Sequence, residues 1–235
     1  MRRIIIFIIF FLASFHIGCD FVFGEGIQER FKDKDSIVYK ISFNGIPSGY
    51  INWKYLGKQY IDGKEVEALS VSSDTKILKF LNLTSNEKVF IDSKNHLPVR
   101  VERDIVLFGR KEFIEEIYNQ EKGTVKIIRR NSHVKERVLK QTSPIHNILA
   151  LLYFFPKDIG LEKSRWMNFN LPNQKIRIKM VRQRMLSTAA GKKETYFLVG
   201  RGAKRFNLWL DKESRLPLRL EFIFLVGKII IVKQN

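Results

Sequence analysis

LWLDKESRLPLRLEFIFLVGK, at residues 208–228, repeats the pattern of KVFIDSKNHLPVRVERDIVLFGR at residues 88–110. In both stretches an alternating apolar segment reaches an aspartate, four residues follow, and Leu-Pro opens a second alternating segment. Alternation with a period of two predicts a strand with one buried face. Aspartate favours a turn, and a proline at the start of the returning strand needs no ladder donor. Each copy therefore predicts an antiparallel hairpin.

The two copies lie 119 residues apart, far more than the roughly 20–50 residues of a solenoid repeat. We therefore predict one β-rich domain over residues 25–235 with two related halves. In the returning strands, Arg100 and Glu102, like Arg219 and Glu221, share one face, and the apolar residues between them share the other. Because these positions are duplicated, we interpret the two arginines as structural rather than catalytic.

The rest of the chain continues the pattern of short strands and turns. Glycines and a proline in residues 44–49 (NGIPSG) predict a reversal between strands at 38–43 and 51–55. Asp62-Gly63 is a strong two-residue hairpin signal, and residues 121–123 (EKG) predict another turn. The apolar stretch 222–232, interrupted by Gly227, predicts two buried strands. The predicted class is mainly β with minor α, arranged as an antiparallel meander.

One helix is predicted near residues 143–155. Ser143 is a suitable N-cap, Pro144 suits the first helical position, and apolar residues follow at helical spacing up to a second proline. The segment closes with three aromatic residues, Tyr153, Phe154 and Phe155. They are candidate ligand-binding residues, and the alternative is that they pack in the core.

The N-terminus predicts export. Two arginines precede sixteen residues, 4–19, that contain no Asp, Glu, Lys or Arg, as in a secretory signal. The run is shorter than the roughly 20 residues that span a bilayer, so an uncleaved anchor is the weaker alternative. We assign residues 1–24 to a signal peptide, with two competing cleavage sites. One lies near Gly24, and the other precedes Cys19, a candidate lipidation site that is otherwise discarded with the signal.

Charge and cysteine content limit the function classes. The chain has a formal net charge of +18 and a single cysteine, so it forms no internal disulfide and no zinc site built on several thiolates. Such a basic surface attracts anionic partners, or is simply well solvated. Because export separates the chain from nucleic acid, we expect no nucleic-acid partner and consider peripheral contact with an anionic membrane instead.

No catalytic motif is found. The four histidines are dispersed, and the sequence lacks a nucleophile elbow and a phosphate-binding glycine loop. Glu115 and Glu116 are neighbours on a predicted strand and should point to opposite faces, which excludes a cooperating carboxylate pair. We therefore expect no enzyme activity, no catalytic residues, no metal site and no cofactor.

Four stretches are informative together: YKISFNGIPSG at 39–49, the helical segment 146–155, TAAG at 188–191 before Tyr196, and the strand, aspartate and Leu-Pro return at 208–221. In these stretches the chain resembles the domain of unknown function 3108 (DUF3108) family of bacterial periplasmic proteins. The family resembles the LolA/LolB-like lipoprotein-carrier fold. The resemblance implies a curved antiparallel sheet forming an incomplete barrel, closed by the helix near 143–155, and a periplasmic or cell-envelope location.

Two hypotheses of function follow. The first is a noncatalytic binding or carrier module for an apolar ligand, such as a lipid or a lipidated protein. The second is a structural or interaction protein of the cell envelope that has no small-molecule ligand.

Overall fold

The computed structural model describes residues 36–77, 81–154, 161, 165–225 and 227–234. Within these residues the chain forms fourteen strands and one short helix. The strands are β1 (Ser36–Phe43), β2 (Ile46–Ile61), β3 (Lys64–Ile77), β4 (Leu81–Asp92), β5 (Pro98–Leu107), β6 (Arg110–Asn119), β7 (Thr124–Arg130), β8 (Val134–Lys140), β9 (Trp166–Leu171), β10 (Gln174–Thr188), β11 (Gly191–Arg201), β12 (Arg205–Asp211), β13 (Pro217–Phe224) and β14 (Gly227–Lys233). The helix is α1 (Ile148–Tyr153), between β8 and β9.

All fourteen strands belong to one antiparallel sheet, in the order β8-β7-β6-β5-β4-β3-β2-β1-β14-β13-β12-β11-β10-β9. The first and last strands pair in the middle of the sheet, so its two edges are β8 and β9. These edges approach each other at one end, where Gln141 Nε2 donates to the Leu171 carbonyl over 3.4 Å. They do not form a strand pair, and the barrel stays incomplete. The predicted fold class is confirmed.

The two repeated stretches form hairpins with the same turn. Asp92 Oδ1 accepts from the backbone N–H groups of the second and third residues after it, at 2.8 and 3.2 Å. Asp211 Oδ1 does the same at 3.0 and 2.8 Å. The residue before each Leu-Pro has a positive φ, 55° at His96 and 59° at Arg215. Aspartate therefore organises both turns through its side chain, as the sequence predicts.

The predicted helix is correct in place but wrong in extent. It begins at Ile148 with Asn147 as N-cap, instead of beginning after Ser143. Asn147 Oδ1 accepts from the N–H groups of Leu149 and Ala150 at 2.8 and 3.3 Å. The preceding backbone is extended because it pairs with β9 through an isolated parallel bridge between Ile145 and Asn170. Once these peptide groups are bonded outside a helix, the helix starts only after them.

The turn predicted at residues 44–49 is also shorter than expected. The reversal occupies only Asn44 and Gly45, and β2 begins at Ile46. Pro47 lies within the strand, next to a register shift in the pairing of β1 with β2. A bulge accommodates a proline because one ladder position is already unpaired there.

One large cluster of buried side chains lies on the concave side of the sheet and beneath α1. Its members include Tyr39, Trp53, Val89, Val101, Tyr153, Phe169, Ile176, Leu198, Leu208 and Phe222. The helix therefore packs against the sheet rather than away from it. Among the described residues, no helix is both long and apolar enough to cross a membrane.

Candidate ligand-binding cavity

A cavity of about 120 Å³ lies between α1 and the concave face of the sheet. The helix contributes Ile148, Leu149 and Leu152 to its wall. The helix cap, Asn147, also lines it, and strands of both halves of the sheet supply the remaining wall. From the C-terminal strands these are Phe206, Pro217, Leu220, Phe222 and Ile231, and from the N-terminal strands Tyr39, Ile51, Trp53, Val71, Ser73, Ser85, Glu87 and Arg103. Most of this lining is apolar, which suits an apolar ligand group.

The aromatic residues predicted as ligand-binding lie beside this cavity rather than in its wall. Tyr153 is 2% exposed and stacks on Tyr55 with ring centroids 6.4 Å apart. Phe154 is 3% exposed and stacks on His96 at 5.1 Å. Both therefore fix α1 to the sheet by core packing. Phe155 and Cys19, the other two candidate residues, lie outside the described residues.

A buried ionic cluster borders the cavity on the N-terminal side. Arg103 Nε and Nη2 bind the two carboxylate oxygens of Glu87 at 2.5 and 3.0 Å. Arg103 Nη1 reaches Glu116 Oε1 at 3.5 Å, and the Tyr118 hydroxyl donates to Glu116 Oε2 at 2.7 Å. The side chain of the helix cap, Asn147, also hydrogen-bonds Tyr118. A continuous polar network thus connects the sheet interior to the first turn of α1.

The electrostatics of this cluster fix its protonation. Burial alone would lower the pKa of Arg103, but the carboxylates of Glu87 and Glu116 outweigh it and raise that pKa above its usual value. Burial, together with the charge of Glu116, raises the pKa of Tyr118 well above its usual value. Arg103 therefore stays charged and Tyr118 stays a hydrogen-bond donor at neutral pH. Their carboxylate partners, Glu87 and Glu116, are engaged in these bonds.

Two residues of the cluster, Glu87 and Arg103, occupy positions in the β4–β5 hairpin that are phenylalanines in the equivalent β12–β13 hairpin. Glu87 lies opposite Arg103 across β4 and β5, and Phe206 lies opposite Phe222 across β12 and β13. Each residue of the first pair precedes its counterpart by 119 positions, the same offset that relates the two repeated stretches. The two phenyl rings are 5.9 Å apart, and all four side chains line the cavity. One hairpin thus offers an ion pair to the cavity, and the equivalent hairpin offers two rings.

Sequence reasoning missed this cluster, although a signal for it exists. Arg103 alternates with Val101 and Ile105, so it stands on the face predicted to be apolar. A charged residue on the buried face of an alternating strand requires a buried partner. Aligning the two copies would have shown the exchange of Glu87 and Arg103 for two phenylalanines.

Two hydrogen-bond donors in the cavity wall lack partners among the described residues, the Tyr39 hydroxyl and Trp53 Nε1. Their rings are in contact, with centroids 5.2 Å apart. Burial raises the pKa of Tyr39 far above its usual value, so its hydroxyl remains protonated. Unpaired buried donors are costly, and a ligand acceptor placed at this wall would relieve that cost.

No group of three His, Cys, Asp or Glu side chains suited to a metal ion occurs within the described ranges. His146, which precedes the helix cap, is buried and contacts Phe169 with ring centroids 5.8 Å apart. Burial lowers the pKa of His146 to about 4, so the ring is neutral at pH 7. It serves as a core residue next to the helix.

Comparison with one solved structure supports the architecture. A beta-barrel-like protein of the DUF1849 domain of unknown function from Brucella abortus has a TM-score of 0.57 at 8% identity, covering 86% of this chain and 96% of that chain. At this identity the likeness concerns the fold alone. A "putative lipoprotein" from Parabacteroides distasonis has a TM-score of 0.33 at 8% identity, covering 92% of this chain and 99% of that chain.

A search of curated proteins finds no match. A family model described as "Protein of unknown function (DUF3108)" matches residues 38–233, which include all the strands from β1 to β14 apart from the first two residues of β1. The resemblance predicted from the sequence is therefore confirmed, and the chain belongs to the DUF3108 family.

Proposed function

We propose that this protein is a noncatalytic binding or carrier module of the bacterial cell envelope, exported by its N-terminal segment, whose ligand is an acyl chain of a lipid or of a lipidated protein. The observation that carries the proposal is the apolar cavity between α1 and the concave face of the sheet. A well-packed core leaves few voids larger than a water molecule, so a space of about 120 Å³ at the helix is unusual.

The size of the cavity limits the ligand that fits without rearrangement. About 150 Å³ of apolar space accommodates a benzene molecule, whereas pockets for drug-sized ligands measure roughly 300–1,000 Å³. The cavity of about 120 Å³ therefore accepts only a short apolar segment. A longer chain requires the space now filled by Ile148, Leu149 and Leu152. We expect α1 to shift outward when such a chain binds.

The lining also sets the orientation of the ligand. The rings of Phe206 and Phe222 suit the hydrocarbon. The N-terminal strands contribute Glu87, Arg103 and the donors of Tyr39 and Trp53, which have no partner among the described residues. With both carboxylates ionised, the cluster of Glu87, Arg103 and Glu116 has a formal charge of −1. It should repel a free carboxylate and accept an uncharged acyl ester. The favoured ligand is therefore a neutral acyl ester with its carbonyl towards the donors.

Binding of 1-monoacylglycerols with chains of 4 to 12 carbons, measured by calorimetry and native mass spectrometry, tests the proposal. We expect saturable binding that exceeds binding of the free fatty acid of equal length at pH 7. Leu152→Trp fills the cavity from the helix and should weaken binding by about tenfold or more. Val138→Trp, at a position 60% exposed on the edge strand β8, is the matched control and should bind normally.

Overpacking can also destabilise the fold, so the thermal transition of Leu152→Trp is measured alongside binding. A panel in which no monoacylglycerol binds the wild-type protein would contradict the proposal. Binding that a folded Leu152→Trp protein retains in full would place the ligand elsewhere and contradict it equally.

The alternative, an interaction protein without a small-molecule ligand, is favoured by one feature, the open edge at β8. Val134 and Val138 on this strand are 66% and 60% exposed. Exposed strand edges pair readily with a strand of another chain. In-cell crosslinking from position 134 that captures one protein reproducibly, and fails when Val138→Pro blocks strand pairing, would support this alternative.

A further inference from the structure

Positive charge is concentrated in the C-terminal half of the sheet. Residues 165–225 and 227–234 contain 16 Lys or Arg against 4 Asp or Glu. The described residues between 36 and 154 contain 18 against 13. A generally lysine-rich composition would distribute the excess evenly over both halves. The strong asymmetry indicates a surface with a specific electrostatic role.

Much of this charge lies on one continuous outer face, which we call the cationic face. Its centre consists of three aromatic residues, Trp166, Phe197 and Trp209, and each is covered by cations. The cations within 5.0–5.8 Å of these ring centroids are Arg177, Lys179, Arg182, Arg184, Arg201 and Arg219. They are neighbours in the sheet, since Arg177 pairs with Arg201, and Phe197 pairs with both Arg182 and Trp209.

Acidic residues hardly neutralise this face. Glu221 binds Arg219 at 2.6 Å and Lys228 at 3.6 Å. Apart from that carboxylate, no ion pair to these six cations is found among the described residues. Cation–π contact with the rings restrains these side chains, which reduces the entropy lost on binding an anion.

We propose that the cationic face docks the protein on an anionic phospholipid surface. The outer side of a curved sheet is convex and broad, which matches the extended charge of a bilayer better than a discrete anion. A nucleic acid is a poorer fit, because single-stranded binding needs open rings for base stacking and here cations cover the rings. The face lies on the opposite side of the sheet from the cavity, so docking leaves α1 free to exchange ligand.

Co-sedimentation with vesicles of phosphatidylcholine containing 30% phosphatidylglycerol tests this inference independently of any ligand in the cavity. The variant is Arg177→Gln/Lys179→Gln/Arg182→Gln/Arg184→Gln. Its matched control removes four exposed lysines of the N-terminal half, Lys54→Gln/Lys76→Gln/Lys88→Gln/Lys111→Gln. Both have the same net charge and the same apolar N-terminal segment, so these contributions cancel in the comparison.

Each cation near an anionic surface strengthens binding about fivefold, so the first variant, which lacks four cations, should bind roughly 600-fold more weakly than wild type. The control should bind within about threefold of the wild type, because its four lysines lie outside the cationic face and their long-range effect is screened by salt. A third variant, Arg177→Lys/Arg182→Lys/Arg184→Lys, keeps the charge and should retain most of the binding, which separates loss of charge from loss of folding.

Three results would overturn the inference. One is an equal loss of vesicle binding in the two glutamine variants, which would show that binding depends only on the net charge of the protein and not on the cationic face. Another is wild-type binding that does not depend on phosphatidylglycerol. The last is tighter binding to a single-stranded oligonucleotide than to the vesicles at equal salt. None of these bears on ligand binding in the cavity, so the two proposals fail separately.

Discussion

Replacing Arg103 with methionine should leave two carboxylates buried without a counter-charge. The side chains of Arg103, Glu87 and Glu116 are 4%, 8% and 3% exposed, so solvent cannot replace the lost partner. Breaking a buried ion pair by removing one partner costs about 3–5 kcal/mol. For a chain of about 200 folded residues, each kcal/mol lowers Tm by roughly 2–4 °C. The expected decrease is therefore roughly 6–20 °C.

Urea denaturation and calorimetry at pH 7 measure this change. The matched control is Arg129→Met, because Arg129 Nη1 binds Glu112 Oε1 at 3.4 Å but the two side chains are 44% and 28% exposed. An exposed pair of this kind contributes at most about 1 kcal/mol.

The variant Glu87→Gln/Arg103→Met/Glu116→Gln should recover most of the lost stability, because an uncharged cluster has no unpaired buried ion. Two outcomes would refute the reasoning. One is a loss below about 1 kcal/mol for Arg103→Met, and the other is a triple variant no more stable than the single one.

Three further predictions concern the helix and the barrel interior. The pKa of His146 is about 4 when folded and about 6.5 when unfolded, so the unfolded chain binds an extra proton between these values and the free energy of unfolding should fall by about 3 kcal/mol from pH 6.5 to 4. In urea titrations His146→Gln should lack this pH dependence, and an identical dependence in the variant would contradict the assignment. Asn147→Ala removes the helix cap and should lower the free energy of unfolding, measured by urea denaturation, by about 1–2 kcal/mol. Asn147→Asp keeps the acceptor and should lose less, so equal losses in the two variants would argue against capping. A Cβ at Gly200 would collide with the ring of Phe206, so Gly200→Ala should lower the free energy of unfolding by about 1–3 kcal/mol. In a double-mutant cycle Phe206→Leu should relieve part of this loss, and strict additivity of the two substitutions would show that no clash occurs.

The hairpins could be predicted because their determinants are local. Alternation, Asp62-Gly63, and the aspartates at 92 and 211 each act within a few residues. The pairing of β1 with β14 joins residues almost 200 positions apart, and no local pattern encodes it. The incomplete barrel was therefore accessible only through the family resemblance.

The start of the helix could not be predicted, because non-local hydrogen bonds override the local signals there. Ser143 and Pro144 match the preferences of a helix N-terminus, yet the backbone that follows bonds to distant groups. Gln120, 25 residues upstream, accepts from Ile145 N–H at 2.8 Å and donates to its carbonyl at 2.8 Å. His146 N–H donates to the Asn170 carbonyl at 2.9 Å. These non-local bonds replace the first turn of the predicted helix.

The central claim is that an acyl chain lies inside the incomplete barrel, against Trp53. A protein with Trp166→Phe and Trp209→Phe retains Trp53 as its only tryptophan, and one with Trp53→Phe and Trp166→Phe retains only Trp209, which belongs to the outer cationic face. Titration with a monoacylglycerol brominated on its chain should quench the fluorescence of Trp53 saturably and leave that of Trp209 unchanged. Saturable binding without quenching of Trp53, or equal quenching of both tryptophans, would contradict the claim.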